Sequence, residues 1–419
     1  MQLKLLNYYK MISNIAGNLV GAFVPLIIYN ATHSLVWAVA FLAMRSFFRL
    51  VSLVILRKNI QRKPELFLFL RLFAMALYCI CLSFVDRYLI LGCILASFFS
   101  GMDQSFNSLA IETLFNYSVS AKVDSKSIGI TRLFEKFGVF AGLIVGGLIL
   151  DVNEIVVYVL AVSLYLIAIL PLFIYYLKNR KNNAFNKEYT SNAVLSLSNK
   201  ETEHKTLKYV LTTMLLCYGL VYAIFASMDV TTGIFNLSRF VEGDVSYSFA
   251  SMFVLVADIA YCIGNIVISR LDKKFDLLNV VRISCFIECV SFIIMTFVKN
   301  IPVIFIVFAI FGFFSATISV FVLQRFVQKS RILGHSNEGL IVREVACVSS
   351  YIVYYLIIML LAIFEIPIRY FFLATSLTML VSAFLIPYME EKTRKMLVDY
   401  VEDNEVGSSI VNQTNKKTM

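Results

Sequence analysis

The sequence predicts an all-α membrane protein: twelve transmembrane helices in two pseudo-symmetric six-helix bundles. Composition is the first observation behind this. Hydrophobic residues make up 59% of the 419 positions and charged residues 15%, with a mean hydropathy of +0.80. A water-soluble chain carries about 25% charged residues. The second observation is a recurrence of continuous apolar stretches of about 20 residues, the length of helix that crosses a bilayer core. The third is repetition. Ser97-Phe98-Phe99-Ser100 is echoed by Gly312-Phe313-Phe314-Ser315, and Ile28-Tyr29-Asn30 by Ile234-Phe235-Asn236. Both echoes lie close to half a chain apart, as in secondary transporters built from duplicated halves with a site between them.

Taken in order, the first six spans fall near residues 9–30, 34–56, 65–85, 88–115, 127–150 and 154–177. Very short connections such as Asn30–Ser34 and Asp86–Arg87 separate some of them, leaving no room for an external catalytic domain. The basic segments 57–63 and 116–136 separate others. Residues 1–177 thus form an N-terminal bundle. Residues 178–207 are rich in Lys, Asn, Ser and Thr and read as a flexible or partly helical linker. The second six spans fall near 208–235, 245–269, 277–298, 302–325, 339–363 and 367–389, giving a C-terminal bundle over 208–389. A polar tail, 390–419, of the same character as the linker follows. Helices are preferred to a membrane barrel because the runs are continuously apolar and do not alternate. The first stretch is too long for a cleavable signal.

The net charge of +10 is a topology signal and not the footprint of a nucleic-acid partner. Of the 37 Lys and Arg residues, 30 fall on one side of the predicted bundle and only Arg87, Arg239, Lys299 and Arg369 on the other. By the positive-inside rule both termini and the linker are cytoplasmic, in a multi-pass protein of the cell membrane. Lys392, Arg394 and Lys395, just past the last span, are placed to meet anionic lipid.

The eight cysteines all fall inside predicted spans, without a Cys-x-x-Cys pair, and the three histidines are scattered. That pattern predicts packing cysteines, no metal site and no cofactor. No nucleophilic triad or phosphate-binding glycine loop is visible, so the chain does not read as an enzyme.

Charges within the spans are the informative exceptions, because each costs at least about 2.5–3.5 kcal/mol at the bilayer centre. Arg45, Asp103, Asp258 and Glu288 fall near mid-depth. Asp229 falls toward the outside, and Glu112, Glu135 and Glu344 toward the cytoplasm. Arg45 and Arg49, four residues apart, share a helix face. Aligning the halves sets Arg45 opposite Asp258, which allows a pair across the halves. Pairing within a half, Arg45 with Asp103, is the alternative. Arg132, Glu135 and Lys136 in the fifth span, and Arg343 and Glu344 in the eleventh, read as cytoplasmic ion pairs that open and close with a gate, or as snorkelling side chains. In the fifth span Gly138, Gly142, Gly146 and Gly147 form a stripe. Such a stripe serves close helix packing, or a thin sealing contact between the two halves.

Twelve spans, cytoplasmic ends, a basic central linker and six-plus-six duplication resemble the major facilitator superfamily over residues 1–390. The glycine stripe is similar to the fifth-helix motif of that family's proton-exchanging exporters, with Leu143 where the motif has proline. The basic run Arg57–Lys63 resembles the family's loop motif without its acidic residue. Its counterpart Ser269–Lys274 keeps Asp272. The resemblance implies that the first, fourth, seventh and tenth helices line a central cavity. By helix order it assigns Asn14, Asn18, Gln104, Asn107, Ser315, Thr317 and Gln324 as lining residues, with Asp103 and Asp229 among them. It implies a secondary transporter that works as a monomer.

The expected function is proton-coupled efflux of a small amphipathic organic molecule. A desolvated carboxylate can load and release a proton: Asp103 first, then Asp229 and Glu135. The alternative is uptake or exchange of an organic anion clamped by Arg45 and Arg49. A membrane transferase or a non-transporting sensor is the reading from a different class, and neither clustered catalytic residues nor a soluble domain supports it.

Overall fold

A computed structural model describes residues 2–85, 87–118, 125–179, 208–217, 219–221, 246–271, 277–298, 300–332, 336–367 and 369–417. These residues are almost wholly helical. The helices are α1 (Gln2–Val20), α2 (Val24–Thr32), α3 (Leu35–Arg62), α4 (Pro64–Leu82), α5 (Leu89–Ser118), α6 (Ser125–Leu150) and α7 (Glu154–Asn179). After them come α8 (Lys208–Val221), α9 (Tyr247–Leu271), α10 (Leu277–Phe297), α11 (Ile301–Ile332), α12 (Ser336–Ile363) and α13 (Arg369–Lys417). Ten segments among the described residues are long and apolar enough to cross a membrane. Rows of exposed Phe, Ile and Val, such as Phe47, Ile55, Phe73, Ile90, Val159 and Phe384, suit hydrocarbon surroundings in which the helices satisfy their own backbone.

Two expectations are adjusted. The first span is a broken helix, α1 then α2, with a turn at Gly21–Phe23. Pro25 has no N–H to give to the carbonyl one turn earlier, and the chain turns through Gly21 N–H to Gly17 O (2.8 Å) and Phe23 N–H to Val20 O (2.9 Å). The last span does not stop near 389, since α13 runs through Pro387 to Lys417. Residues 390–398 are rich in strong helix formers, and the pair Lys395–Glu391 (3.1 Å) sits one turn apart along it, which favours helix. Residues 222–235 of the seventh span and residues 180–207 of the linker lie outside the described residues.

Helices α1–α7 pack chiefly among themselves, α1 on α6 and α7, α5 on α3 and α4. Helices α9, α10, α11 and α13 do likewise, α9 on α11, and α10 on α11 and α13. The two groups meet where α12 packs on α3 and α5 and where α6 packs on α9.

The glycine stripe belongs mostly to the first group. A Cβ on Gly142 would lie 2.6 Å from Ile15 O and 2.9 Å from Asn18 Cβ, and one on Gly146 would lie 2.7 Å from Leu19 O. Gly138 meets Met11 and Asn14 in the same way. These three therefore let α6 lie flush on α1. Only Gly147 faces the other group, where a Cβ would be 3.1 Å from Tyr247 O and Ser248 Cα on α9. The stripe is a helix-packing surface within the first group, and its contact between the two groups is confined to Gly147.

Candidate functional site: a central cavity between two polar closures

A cavity of about 420 Å³ lies at the centre of the helices, walled by α1–α6 on one side and α9 and α11 on the other. Asn14, Asn18, Gln104 and Asn107 line it as helix order implied, with Ser100, Tyr78, Ser251, Tyr261 and Ser315. Leu42, Met75, Leu143, Val254 and Phe311 make the rest of its wall apolar. Asn14 donates to Glu135 O on α6 (3.3 Å), whereas Asn18 donates back to Asn14 O of its own helix (2.9 Å).

Five charged residues line the same space: Arg45, Arg71, Asp103, Lys136 and Asp258. Four are paired. Arg71 Nε donates to Asp103 Oδ1 at 2.6 Å, and Arg71 Nη1 to Asn107 Oδ1 (2.6 Å) and to the Tyr9 hydroxyl (3.1 Å). Its guanidinium also lies 4.5 Å from the centre of the Tyr165 ring, and the Tyr9 and Tyr165 hydroxyls bond each other. Lys136 on α6 pairs with Asp258 on α9 and lies 4.6 Å from the Tyr261 ring centre. That pair ties the two helix groups together at the cavity.

Arg45 is different. It is 92% buried (8% exposed), its Nε has no hydrogen-bond partner, and no described carboxylate forms an ion pair with it. Both expected pairings are thus corrected, since Asp103 is held by Arg71 and Asp258 by Lys136. Opposed charges at equivalent positions of a repeat need not meet, because the helices that carry them are not neighbours. Arg71 and Lys136 contribute to the cavity wall although neither was placed there from the sequence.

On the side of the bundle that holds the chain termini, five charges form one chain of contacts. Lys10 and Arg343 reach Glu112 (3.8 and 3.5 Å), and Arg343 and Arg49 reach the two oxygens of Glu344 (2.8 and 2.6 Å). Their helices are α1, α3, α5 and α12, so the cluster bridges the two groups. Arg49, expected as the partner of Arg45 in a clamp, is engaged here. Of the other residues read as gate or proton-carrier candidates, Glu135 is half-buried on α6. The side chains of Arg132 and Gln324, and all of Asp229, lie outside the described residues.

On the opposite side Asp151 follows α6 and caps α9. Its carboxylate accepts the Tyr247 N–H (2.8 Å), the Ser248 N–H (3.2 Å) and the Ser246 hydroxyl (3.0 Å). A negative charge at a helix N-terminus is favourable. Glu154 supports it by accepting the Tyr247 hydroxyl (3.2 Å). Partial burial works to raise the Asp151 pKa, but hydrogen bonds from Ser248, Tyr247 and Ser246 outweigh it and hold the carboxyl below its usual value. A lowered folded-state pKa stabilises this closure fully above the unfolded value of about 3.9. The stabilisation is lost as pH falls through the lowered value. Hydrogen–deuterium exchange at residues 246–250 is therefore expected to stay slow down to about pH 4 and to quicken below it, after correction for intrinsic rates. Asp151→Asn is expected to exchange fast at every pH, and slow exchange in that variant would show that the cap does not hold α9.

Among the described residues no group of His, Cys, Asp or Glu is arranged to hold a metal, and the cysteines form no disulfide.

Comparison with known proteins agrees with this fold. The family model for the Major Facilitator Superfamily matches residues 9–335. Among solved structures, the chain is similar to a bacterial homologue of the iron transporter ferroportin in its outward-facing state. The identity is 13% and the TM-score 0.66, covering 94% of this chain and 100% of that one. It is similar to the human organic anion transporter MFSD10 (12% identity, TM-score 0.62, covering 91% and 98%). It is also similar to the E. coli fucose:proton symporter FucP (13% identity, TM-score 0.57, covering 92% and 98%). Identities this low speak for the fold alone. Among curated proteins no sequence matches.

Proposed function

The chain belongs to the major facilitator superfamily, a family of transporters and not of enzymes, and we propose that it carries a small amphipathic organic anion across the cell membrane as a monomer. The observation that carries this reading is Arg45, a buried cation that lines the cavity without a carboxylate partner among the described residues. An unpaired charge in the membrane interior is costly, and a carboxylate on the solute would remove that cost. The other charges among the described lining residues cancel in pairs, so one negative charge is what the described lining lacks. Asn14, Asn18, Gln104 and Asn107 would take hydroxyl or carbonyl groups of the solute, and Leu42, Met75 and Phe311 its apolar part. The charge distribution supports cytoplasmic termini, with the Arg49–Glu344 cluster closing the cytoplasmic side and Asp151 the outer side. Solute movement is coupled to protons in this reading. The apolar part of the wall also favours a second reading, efflux of an uncharged amphipathic molecule.

A library of small carboxylic acids, scored by the rise in melting temperature of the purified protein, tests the proposal. A charge-assisted hydrogen bond contributes about 1.5–3 kcal/mol, so Arg45→Met is expected to weaken a binding acid by about 10- to 150-fold. The neutral amide of the same acid should lose a similar factor on the unaltered protein. If Arg45→Met binds acids as well as the unaltered protein does, the anion reading fails and the efflux reading takes its place.

A further inference from the structure

Glu288 is a second buried charge that the cavity geometry does not neutralise. It sits midway along α10 and is fully buried (0% exposed). Its Oε1 accepts the Ser315 hydroxyl at 2.8 Å, and its Oε2 has no hydrogen-bond partner. Ser315 is itself part of the cavity wall, so one hydrogen bond separates this carboxyl from the solute space.

No described cation faces it. Helix α10 packs on α11 and α13. Helix α11 has no charged residue between Ile301 and Gln324, and α13 has none between Tyr370 and Met389. On α10 itself the nearest titratable groups are the thiols of Cys285 and Cys289, and the Cys289 thiol is engaged with Ser376 of α13 (3.2 Å). Arg282, nearly two turns away, is exposed. A carboxylate with one donor and no counter-ion is not stable in such surroundings, where a buried ionisable group neutralises itself instead.

We infer that Glu288 is a proton-binding site of the transport cycle, and that Ser315 relays its protonation state to the solute in the cavity. As the neutral acid, Glu288 leaves the Ser315 hydroxyl free to turn toward the solute. When the cavity wets and the proton leaves to water, the carboxylate needs that hydroxyl as its donor and withdraws it from the solute. Proton occupancy and solute binding are thereby linked through one hydroxyl. Asp103, bound in a short ion pair to Arg71, has no such freedom. This deepens the reading of the cavity as a solute site and rests on it, but its test needs no solute.

The test is infrared spectroscopy of the purified protein in lipid vesicles, titrated with pH, read beside the fluorescence of Trp37. Trp37 is the only tryptophan and lies on α3, which packs across the two groups. The unaltered protein is expected to show a protonated-carboxyl stretching band at neutral pH that Glu288→Gln lacks. Ser315→Ala, which removes the hydrogen bond but keeps the acid, should move the same band to higher frequency. The pH-dependent change in Trp37 emission should be lost in Glu288→Gln and retained, at a shifted midpoint, in Glu288→Asp. A band unchanged by both Glu288→Gln and Ser315→Ala would overturn the proton site. A band that disappears while the Trp37 pH profile stays the same would overturn its part in the cycle. Either result leaves the Arg45 test with carboxylic acids standing, so the two readings fail separately.

Discussion

Asp103→Asn is expected to lower the yield and melting temperature of the protein sharply, and a chain carrying both Arg71→Met and Asp103→Leu is expected to recover most of the loss. The reason is the surroundings of Arg71, whose side chain is 4% exposed. Asp103 is its one carboxylate partner among the described residues, and the remaining contacts, Asn107 and Tyr9, are neutral. Taking the carboxylate away leaves a buried cation without compensation, at a cost of about 3–5 kcal/mol for a broken buried pair. That is a large share of a typical stability of about 5–15 kcal/mol. Replacing both partners by apolar residues of similar volume removes the desolvation of both charges and is commonly neutral or better. A scan of melting temperature for the two single variants and the double variant decides the matter. A normal melting temperature for Asp103→Asn would mean that the ion pair contributes little, and would return Asp103 to the role of titrating carboxyl that its depth in the membrane first suggested.

The difference between that expectation and a proton-carrying Asp103 marks where sequence reasoning stopped. Hydropathy located the helices, because a continuous apolar run leaves the backbone no other way to satisfy its hydrogen bonds. The order of helices also placed Asn14, Asn18, Gln104 and Asn107 in the cavity. The pairing of charges was not legible, since it depends on how each helix is rotated and which helix stands beside it. Arg45 and Asp258 are equivalent in the repeat yet do not meet. Lys136, the true partner of Asp258, was grouped with Arg132 near the membrane surface. A depth count gives the missing signal: Lys136 is eleven residues into α6 and Asp258 eleven residues into α9, which run in opposite directions, so both are near mid-membrane. Arg71 stands inside the predicted third span, and only the packing of α4 on α5 shows that it answers Asp103. The bend at Gly21–Phe23 was hidden because hydropathy does not register a missing N–H.

The largest conformational effect is expected at Glu344. This one carboxylate receives Arg49 from α3 on one oxygen and Arg343 from its own helix on the other, with 5% of its side chain exposed. It is therefore the point at which α12 is held against α3 on the side of the chain termini. Glu344→Gln keeps the shape but removes the charge that both arginines share, while Arg343 still reaches Glu112 (3.5 Å). Separation of the helices would let water reach both guanidinium groups, so the variant loses stability in the closed arrangement and little in the open one. A differential of about 3 kcal/mol, the lower end for a broken buried pair, shifts the closed-to-open ratio by about 150-fold. A cysteine placed at Ser108, on the α5 face that meets α12, in a background without native cysteines, reports the change through its rate of reaction with a water-soluble maleimide. Fast labelling in Glu344→Gln and slow labelling with Glu344 intact is the expected result. Arg49→Met combined with Glu344→Leu, which removes the charges from the contact between α3 and α12, should return labelling toward the slow rate. Equal labelling in all three proteins would show that apolar packing alone holds this side shut and that the charge cluster is not the gate.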